Sequence, residues 1–236
     1  MRAINRQAWY RRTLGGLTIL CLAALPLGRA DVYELFPGGH GETPDRLLGA
    51  KTVLKETVTV NGVPGQLDVS ISDKSMGEAK EALASVLAQT KQPAAGNAIL
   101  IDFPGDATLT RYYVLNFGAN LKTVIFALRI PKAELGQPAA RFWPAELPSP
   151  SGTVEQVIQL ARSKGTFATF SNAGPGADVV SRFDSQLVGS GWERVSADGQ
   201  RGGVYLNKRT QKLLIVSSVT GERETQTTIY LRPIGE

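Results

Sequence analysis

Short segments in which every second residue is apolar recur along this chain, and residues typical of turns separate them. The segment VLKETVTV (53–60) is followed by the turn signal Asn61-Gly62 and then by QLDVSIS (66–72), which alternates in the same way. An apolar residue at every second position is typical of a β-strand with one buried face. Because the connections between such segments are short, we expect neighbouring strands to pair antiparallel.

One helix is predicted directly after this hairpin. Ser75 and Glu78 have the spacing of a capping box, in which each side chain accepts a hydrogen bond from the main-chain N–H of the other residue. Apolar residues at helical spacing follow, so we expect a helix that ends near Gln89 and packs one face on a sheet.

A second helix is predicted in the last third of the chain. Its apolar stripe includes Phe183 and Leu187, and Gly189 or Gly191 is expected to end it in the left-handed conformation. Trp192 then begins the next strand, where its ring can cover the seam between helix and sheet. We therefore interpret Trp192 as the residue that holds this helix against the sheet.

The order of hairpin, helix and antiparallel strands occurs twice along the chain. It predicts an α+β fold of two small modules, each with a helix packed on one sheet face. The predicted organisation is a signal peptide at 1–30, an extended lead-in at 31–52, a first module at 53–135, a proline-rich linker at 136–152 and a second module at 153–236.

The segment TVEQVIQLARS (153–163) fits two structures. Thr153 and Gln156 could form the capping box of a helix, or the segment could be a strand that pairs with TFATF (166–170). The repeated order of elements favours the hairpin.

The first thirty residues have the layout of a secretory signal peptide. A basic start precedes an apolar run at 14–27, and the small residues Gly28 and Ala30 fit cleavage after Ala30. The apolar run is shorter than the ~20 residues that a membrane helix needs, although an uncleaved anchor is an alternative. Arg11-Arg12 also resembles a twin-arginine export signal. We expect an exported protein, periplasmic or extracellular, with no membrane span after cleavage.

The positive net charge belongs to this leader. Of the 26 Lys and Arg residues, five lie at positions 1–30, which contain no acid, so 21 basic residues remain against 21 acidic ones. A neutral mature chain gives no reason to expect nucleic acid as a partner.

Candidate nucleophiles and metal ligands are few. Cys21, the one cysteine, lies in the leader, so the mature chain has no thiol for a disulfide or a nucleophile. His40, the one histidine, could act as a hydrolase base with Glu42 or Asp45 as its partner. Its glycine-rich setting favours a solvent-exposed loop histidine instead. One histidine without cysteine does not form a typical zinc site, and we expect no metal and no cofactor.

Two pairs of acids could serve a glycosidase, which needs two carboxyl groups that flank the scissile bond. Asp102 and Asp106 lie at the end of an expected strand, and Glu222 and Glu224 lie in an expected turn. Acidic residues in turns are normally solvated. We therefore expect no catalytic residue, and a hydrolase that uses His40 or a carboxylate pair is the alternative hypothesis.

Tyr112, Tyr113 and Trp192 are the candidate binding residues. The two tyrosines are adjacent in one strand, so their rings point to opposite faces, and at least one ring could be exposed, although such a ring more often only shields the sheet. An exposed ring could stack on a glycan or on a side chain of a partner protein.

Residues 153–232, in which a helix leads into Gly191-Trp192 and then into short strands, resemble small α+β modules of uncharacterised exported bacterial proteins. The resemblance implies a location in the cell envelope and a binding or structural role. The resulting hypothesis is an exported, non-catalytic envelope protein that binds another envelope protein or a surface glycan. A periplasmic hydrolase is the alternative.

Overall fold

The computed structural model describes residues 43–90, 98–104, 107–116, 122–132, 138–173, 176–197, 202–220 and 224–234. The chain divides into two compact units: the amino-terminal unit ends at Gln137, and the carboxy-terminal unit begins at Pro138. The predictions for the leader, including Gly28 and Ala30, and for His40 lie outside the described residues. Within the described ranges, no helix is both long and apolar enough to cross a membrane.

β-Strands dominate the fold, and the predicted α+β class is wrong. Within the described residues the structure is 57% strand and 19% helical, and the eleven strands there are antiparallel. The helices are short. The first predicted helix breaks in two at Leu83, and the second spans 14 residues. The longest strands reach ten residues. The helices therefore cover part of a sheet and do not form a layer of comparable size.

The described part of the amino-terminal unit is a five-stranded sheet with three short helices. Its elements are α1 Pro44–Leu47, β1 Lys51–Val60, β2 Val63–Ser72, α2 Met76–Ala82, α3 Ala84–Thr90, β3 Ala98–Pro104, β4 Thr108–Asn116 and β5 Thr123–Pro131. The strand order is β3-β4-β5-β2-β1, with Val69 of β2 opposite Phe126 of β5. Asn61 and Gly62 join β1 to β2 with φ values of 50° and 80°, as a two-residue hairpin turn requires.

One face of this sheet is covered by α2 and α3. The predicted capping box is present: the Glu78 N–H donates to Ser75 Oγ at 3.3 Å, and the Ser75 N–H donates to Glu78 Oε2 at 2.7 Å. Behind it the helices bury apolar side chains against β3, β4 and β5, namely Met76, Ala79, Leu83, Val86, Ile99, Ile101, Val114 and Ile125. Full burial of such aliphatic side chains stabilises a fold by about 1.5–3 kcal/mol each, so this core holds β3 firmly in place.

The described part of the carboxy-terminal unit is a six-stranded sheet with one longer helix. Its elements are a 3₁₀ helix Ala139–Phe142, β6 Thr153–Leu160, β7 Thr166–Ala173, α4 Gly176–Gly189, β8 Glu193–Ala197, β9 Gly202–Asn207, β10 Lys212–Thr220 and β11 Glu224–Pro233. The strand order is β6-β7-β11-β10-β9-β8. Since β6 pairs with β7, the hairpin interpretation of TVEQVIQL is confirmed.

Both units have the order of elements that the sequence predicts: a hairpin, a helical segment and a meander. In each unit the last strand of the meander pairs with the second strand of the hairpin. The core of the carboxy-terminal unit lies between α4 and its sheet and includes Phe183, Leu187 and Trp192. Trp143 packs edge-on against Phe170 of this core, with ring centres 5.5 Å apart.

Candidate functional site

The end of α4 fixes the position of Trp192. The Gly191 N–H donates to the carbonyl of Val188 at 3.2 Å, and the Trp192 N–H donates to the carbonyl of Leu187 at 3.1 Å. With Gly191 at φ 83°, these bonds form a Schellman motif, so the predicted glycine stop is confirmed at Gly191. Trp192 is 2% exposed and belongs to the same core as Leu187. Its ring therefore packs the end of the helix against the sheet and is not accessible to solvent.

Three polar side chains near the end of α4 link this helix to strands β8 and β9: Asp184, Arg194 and Tyr205. Arg194 Nη1 of β8 lies 3.4 Å from Asp184 Oδ2 of α4. The guanidinium carbon of Arg194 lies 5.9 Å from the ring centre of Tyr205 in β9. Burial, together with the hydrogen bond to Asp184, raises the pKa of Tyr205 to about 12. The phenol therefore remains protonated at neutral pH and acts as a hydrogen-bond donor inside the unit.

Tyr112 and Tyr113 are both buried, with exposures of 2% and 4%. The alternative in which one of these rings is exposed is therefore wrong. Their side chains point to opposite faces of β4, but both faces are buried here: Val114 accompanies Tyr112 in the core, and buried Phe126 lies opposite Tyr113. Burial raises the pKa of Tyr112 to about 12 and also raises the pKa of Tyr113. Neither ring has an exposed face on which a glycan could stack.

Asp102 forms an ion pair. Arg111 Nε donates to Asp102 Oδ1 at 2.6 Å, and Arg111 Nη2 donates to Asp102 Oδ2 at 2.7 Å. A bidentate pair of this kind engages both carboxylate oxygens. Of the other acids proposed for catalysis, Asp106 and Glu222 lie outside the described residues, as does the side chain of Glu224.

A second polar cluster, which no sequence pattern pointed to, lies on the helix-covered face of the amino-terminal sheet. Asp68 of β2 accepts hydrogen bonds from Arg129 Nη1 of β5 at 2.5 Å and from Gln66 Nε2 at 2.8 Å. Tyr112 also bonds to Arg129. Burial raises the pKa of the Asp45 carboxyl in α1, and the nearby Arg129 only partly offsets the rise. Asp45 Oδ1 is buried and has no hydrogen-bond partner.

The alternation in β2 marks the polar residues of this cluster but does not show that they are buried. In β2 the apolar residues alternate with Gln66, Asp68, Ser70 and Ser72, and the last three of these are almost completely buried. Ser72 Oγ donates to the carbonyl of Leu48 at 2.7 Å. The polar face of β2 is thus turned inward, and its residues bond within the unit.

Within the described residues, no group of three or more His, Cys, Asp or Glu side chains could hold a metal ion. No protein-family model matches the chain, and no curated protein or solved structure matches it.

Proposed function

We propose that the protein is an exported, non-catalytic subunit of the cell envelope that binds another envelope component. The observation that carries the proposal is the bidentate ion pair between Asp102 and Arg111, which engages both oxygens of a candidate catalytic acid. A carboxylate held in this way maintains the contact between β3 and β4 and is poorly placed to exchange protons with a substrate.

Other charged side chains support the same proposal, because they also have internal partners. Lys208 Nζ lies 2.7 Å from Glu193 Oε2, and Lys212 forms an ion pair with Glu146. Lys208 lies in the turn between β9 and β10, and Lys212 is the first residue of β10. Exposed pairs of this kind contribute only about 0–1 kcal/mol to stability, but they reduce the local positive charge. Binding through the main chain of a strand or through surface shape is therefore favoured over binding of a polyanion.

A periplasmic hydrolase is the second candidate, and Asp45 is the observation in its favour. Its raised pKa and its position near Asp68 resemble the arrangement of a general acid beside a second carboxylate. However, Asp45 Oδ1 is buried, so a substrate cannot reach that oxygen in this structure. We therefore rank the binding function first.

The test compares the purified mature protein with its His40→Ala, Asp45→Asn and Asp102→Asn variants on ester, peptide and glycan substrates. We expect no turnover above the buffer rate by any of the four proteins. We also expect the wild-type protein to cross-link to a component of envelope extract and to bind that component again after both are purified. Turnover that one variant loses while its melting temperature is unchanged would establish the hydrolase and refute the proposal.

A further inference from the structure

The turn between β1 and β2 contains Asn61 and Gly62, the one place in the sequence where glycine follows asparagine. Their φ values of 50° and 80°, together with the pairing of Val60 with Val63, identify a two-residue type I′ turn. Gly62 is exposed and Asn61 is half-buried, so water reaches the turn. Val60 and Val63, which flank it, are each 4% exposed. The turn is thus a solvent-accessible tip on a buried pair of strands.

An asparagine that precedes glycine can react without an enzyme. The main-chain nitrogen of Gly62 can attack Cγ of Asn61, because glycine has no Cβ to hinder that nitrogen. A bond forms between this nitrogen and Cγ, the bond from Cγ to Nδ2 breaks, and ammonia leaves with the proton of the Gly62 N–H. Water then opens the cyclic imide at one of its two carbonyl groups. The product is aspartate, or isoaspartate, in which the main chain runs through the side-chain carbon.

The folded turn holds the two reacting atoms apart. In a type I′ turn the first central residue has a ψ of about +30°, the mirror image of its value in a type I turn. Seen along the Cα–C bond of Asn61, the Gly62 nitrogen then lies about 150° from Cβ, whereas ring closure requires the two atoms to be nearly eclipsed. The ring therefore forms only after the turn opens. Opening separates Val60 from Val63, whose burial holds the end of the hairpin together.

We propose that Asn61 is a site of spontaneous deamidation and that the folded hairpin protects it, so that water converts it only in chains whose β1–β2 turn has opened. Aspartate at this position fits the turn, because Asp-Gly is also preferred there. Isoaspartate adds a carbon atom to the main chain and lengthens a turn that has room for two residues. Since β2 also pairs with β5, it cannot shift its register to compensate. The strain falls on the Val60–Val63 end of the hairpin.

The experiment follows the tryptic peptide from Glu56 to Lys74, in which Asn61 is the only asparagine. Purified mature protein is incubated at mildly alkaline pH, once folded and once unfolded in guanidinium chloride, and the mass of the peptide is measured over time. We expect a gain of about one dalton in the unfolded chain and a reaction at least ~tenfold slower in the folded protein, because the folded chain must first open the turn.

Asn207 is the matched internal control. It also lies where a strand leads into a hairpin turn, but Lys208 follows it, and the side chain of Lys208 hinders attack by the main-chain nitrogen. The tryptic peptide that contains Asn207 should keep its mass in both samples while Asn61 reacts in the unfolded chain.

Val63→Ala tests the opening step. It removes buried contacts at the end of the hairpin, so the folded variant should deamidate severalfold faster than the folded wild-type protein. Val53→Ala, at a side chain of β1 that is 59% exposed, should react at the wild-type rate. If Val63→Ala does not fold, Val63→Thr replaces it with the same expectation, because its hydroxyl group weakens burial while the shape of the side chain is kept.

Three results would overturn the inference: an unfolded chain in which Asn61 reacts no faster than Asn207, a folded wild-type protein that reacts as fast as the unfolded chain, or a folded Val63 variant that reacts at the wild-type rate. The two products are separated by chromatography and compared with Asn61→Asp. The isoaspartate form should melt at a lower temperature than Asn61→Asp, which should melt close to the wild-type protein. Equal melting temperatures would refute the strain at this end of the hairpin.

Discussion

The main-chain N–H of Trp192 donates to the carbonyl oxygen of Leu187 at 3.1 Å, and the side chains of the two residues lie in the same core. The bond closes the last turn of α4 directly before β8 begins. Gly191 makes the closure possible, because its φ of 83° is readily available only to glycine. This short stretch of chain therefore sets the position at which the helix meets the sheet.

Gly191→Ala should lower the free energy of unfolding by ~1–2 kcal/mol, because a side chain disfavours the left-handed conformation. A Cβ at this position meets no atom within 4 Å, so the effect comes from the backbone alone. Gly189→Ala is the matched control: its Cβ also meets no atom, and φ is not positive there. Gly189→Ala should raise stability by about 0.5–1 kcal/mol. Urea denaturation of both variants measures the difference, and equal effects would contradict the proposed role of Gly191.

Trp192→Ala should destabilise the protein by about 3–5 kcal/mol, because it leaves a cavity in the core of the carboxy-terminal unit. Val188→Ala, at a side chain that is 57% exposed on the same helix, should change stability by less than ~0.5 kcal/mol. Thermal denaturation followed by circular dichroism measures both. If Trp192→Ala kept its stability but lost a binding activity, Trp192 would belong to a working site.

Arg111→Met should cost about 3–5 kcal/mol, because it leaves the Asp102 carboxylate buried without a partner. The double variant Asp102→Leu/Arg111→Met should regain most of that loss, since replacement of a buried pair by apolar residues is often neutral. The coupling energy from a double-mutant cycle measures the interaction. Additive effects of the two substitutions would show that the pair does not hold β3 to β4.

Asp45→Asn should change how stability depends on pH. Because the folded-state pKa of Asp45 is raised above its ordinary value of 3.8, its contribution is fully present below that value and is lost as pH rises through the raised pKa. The variant, which cannot ionise, should therefore gain stability relative to the wild-type protein between pH 4 and pH 7. Urea denaturation at several pH values in this range measures the gain.

Asp73→Asn is the control, because its effect on stability should depend on pH in the opposite direction. The hydrogen bond from Lys122 lowers the pKa of Asp73, so its contribution is present above the ordinary value and is lost as pH falls. This variant should be at its greatest disadvantage near pH 7 and should approach the wild-type stability in acid. A gain for Asp73→Asn at neutral pH, or no pH dependence for Asp45→Asn, would contradict these assignments.

Local sequence patterns predicted the elements whose causes are themselves local. The capping box at Ser75, the hairpin turn at Asn61-Gly62 and the glycine stop at Gly191 each depend on a few adjacent residues. The fold class was wrong because periodicity does not show how much of a sheet each helix covers. The break at Leu83 shortens the first helical segment, and the strands then dominate.

Contacts between distant residues could not be predicted in this way. Asp68 and Arg129 are 61 positions apart and meet only because β2 pairs with β5. Alternation placed Tyr112 and Tyr113 on opposite faces, but it carries no information on whether both faces are buried. The polar side chains of β2 likewise fit an exposed face. Only the packing of α1, α2 and α3 in the structure shows that this face is covered.

Hydrogen exchange of the β3 amides in the mature protein and in its Arg111→Met variant tests most directly the claim that Asp102 is held by its ion pair and holds β3 to β4. We predict that the β3 amides that bond to β4 exchange faster in Arg111→Met than in the wild-type protein, while the amides of β10 and β11 exchange at the same rate in both. Equal exchange of the β3 amides in the two proteins would show that the ion pair does not maintain this contact and would contradict the claim.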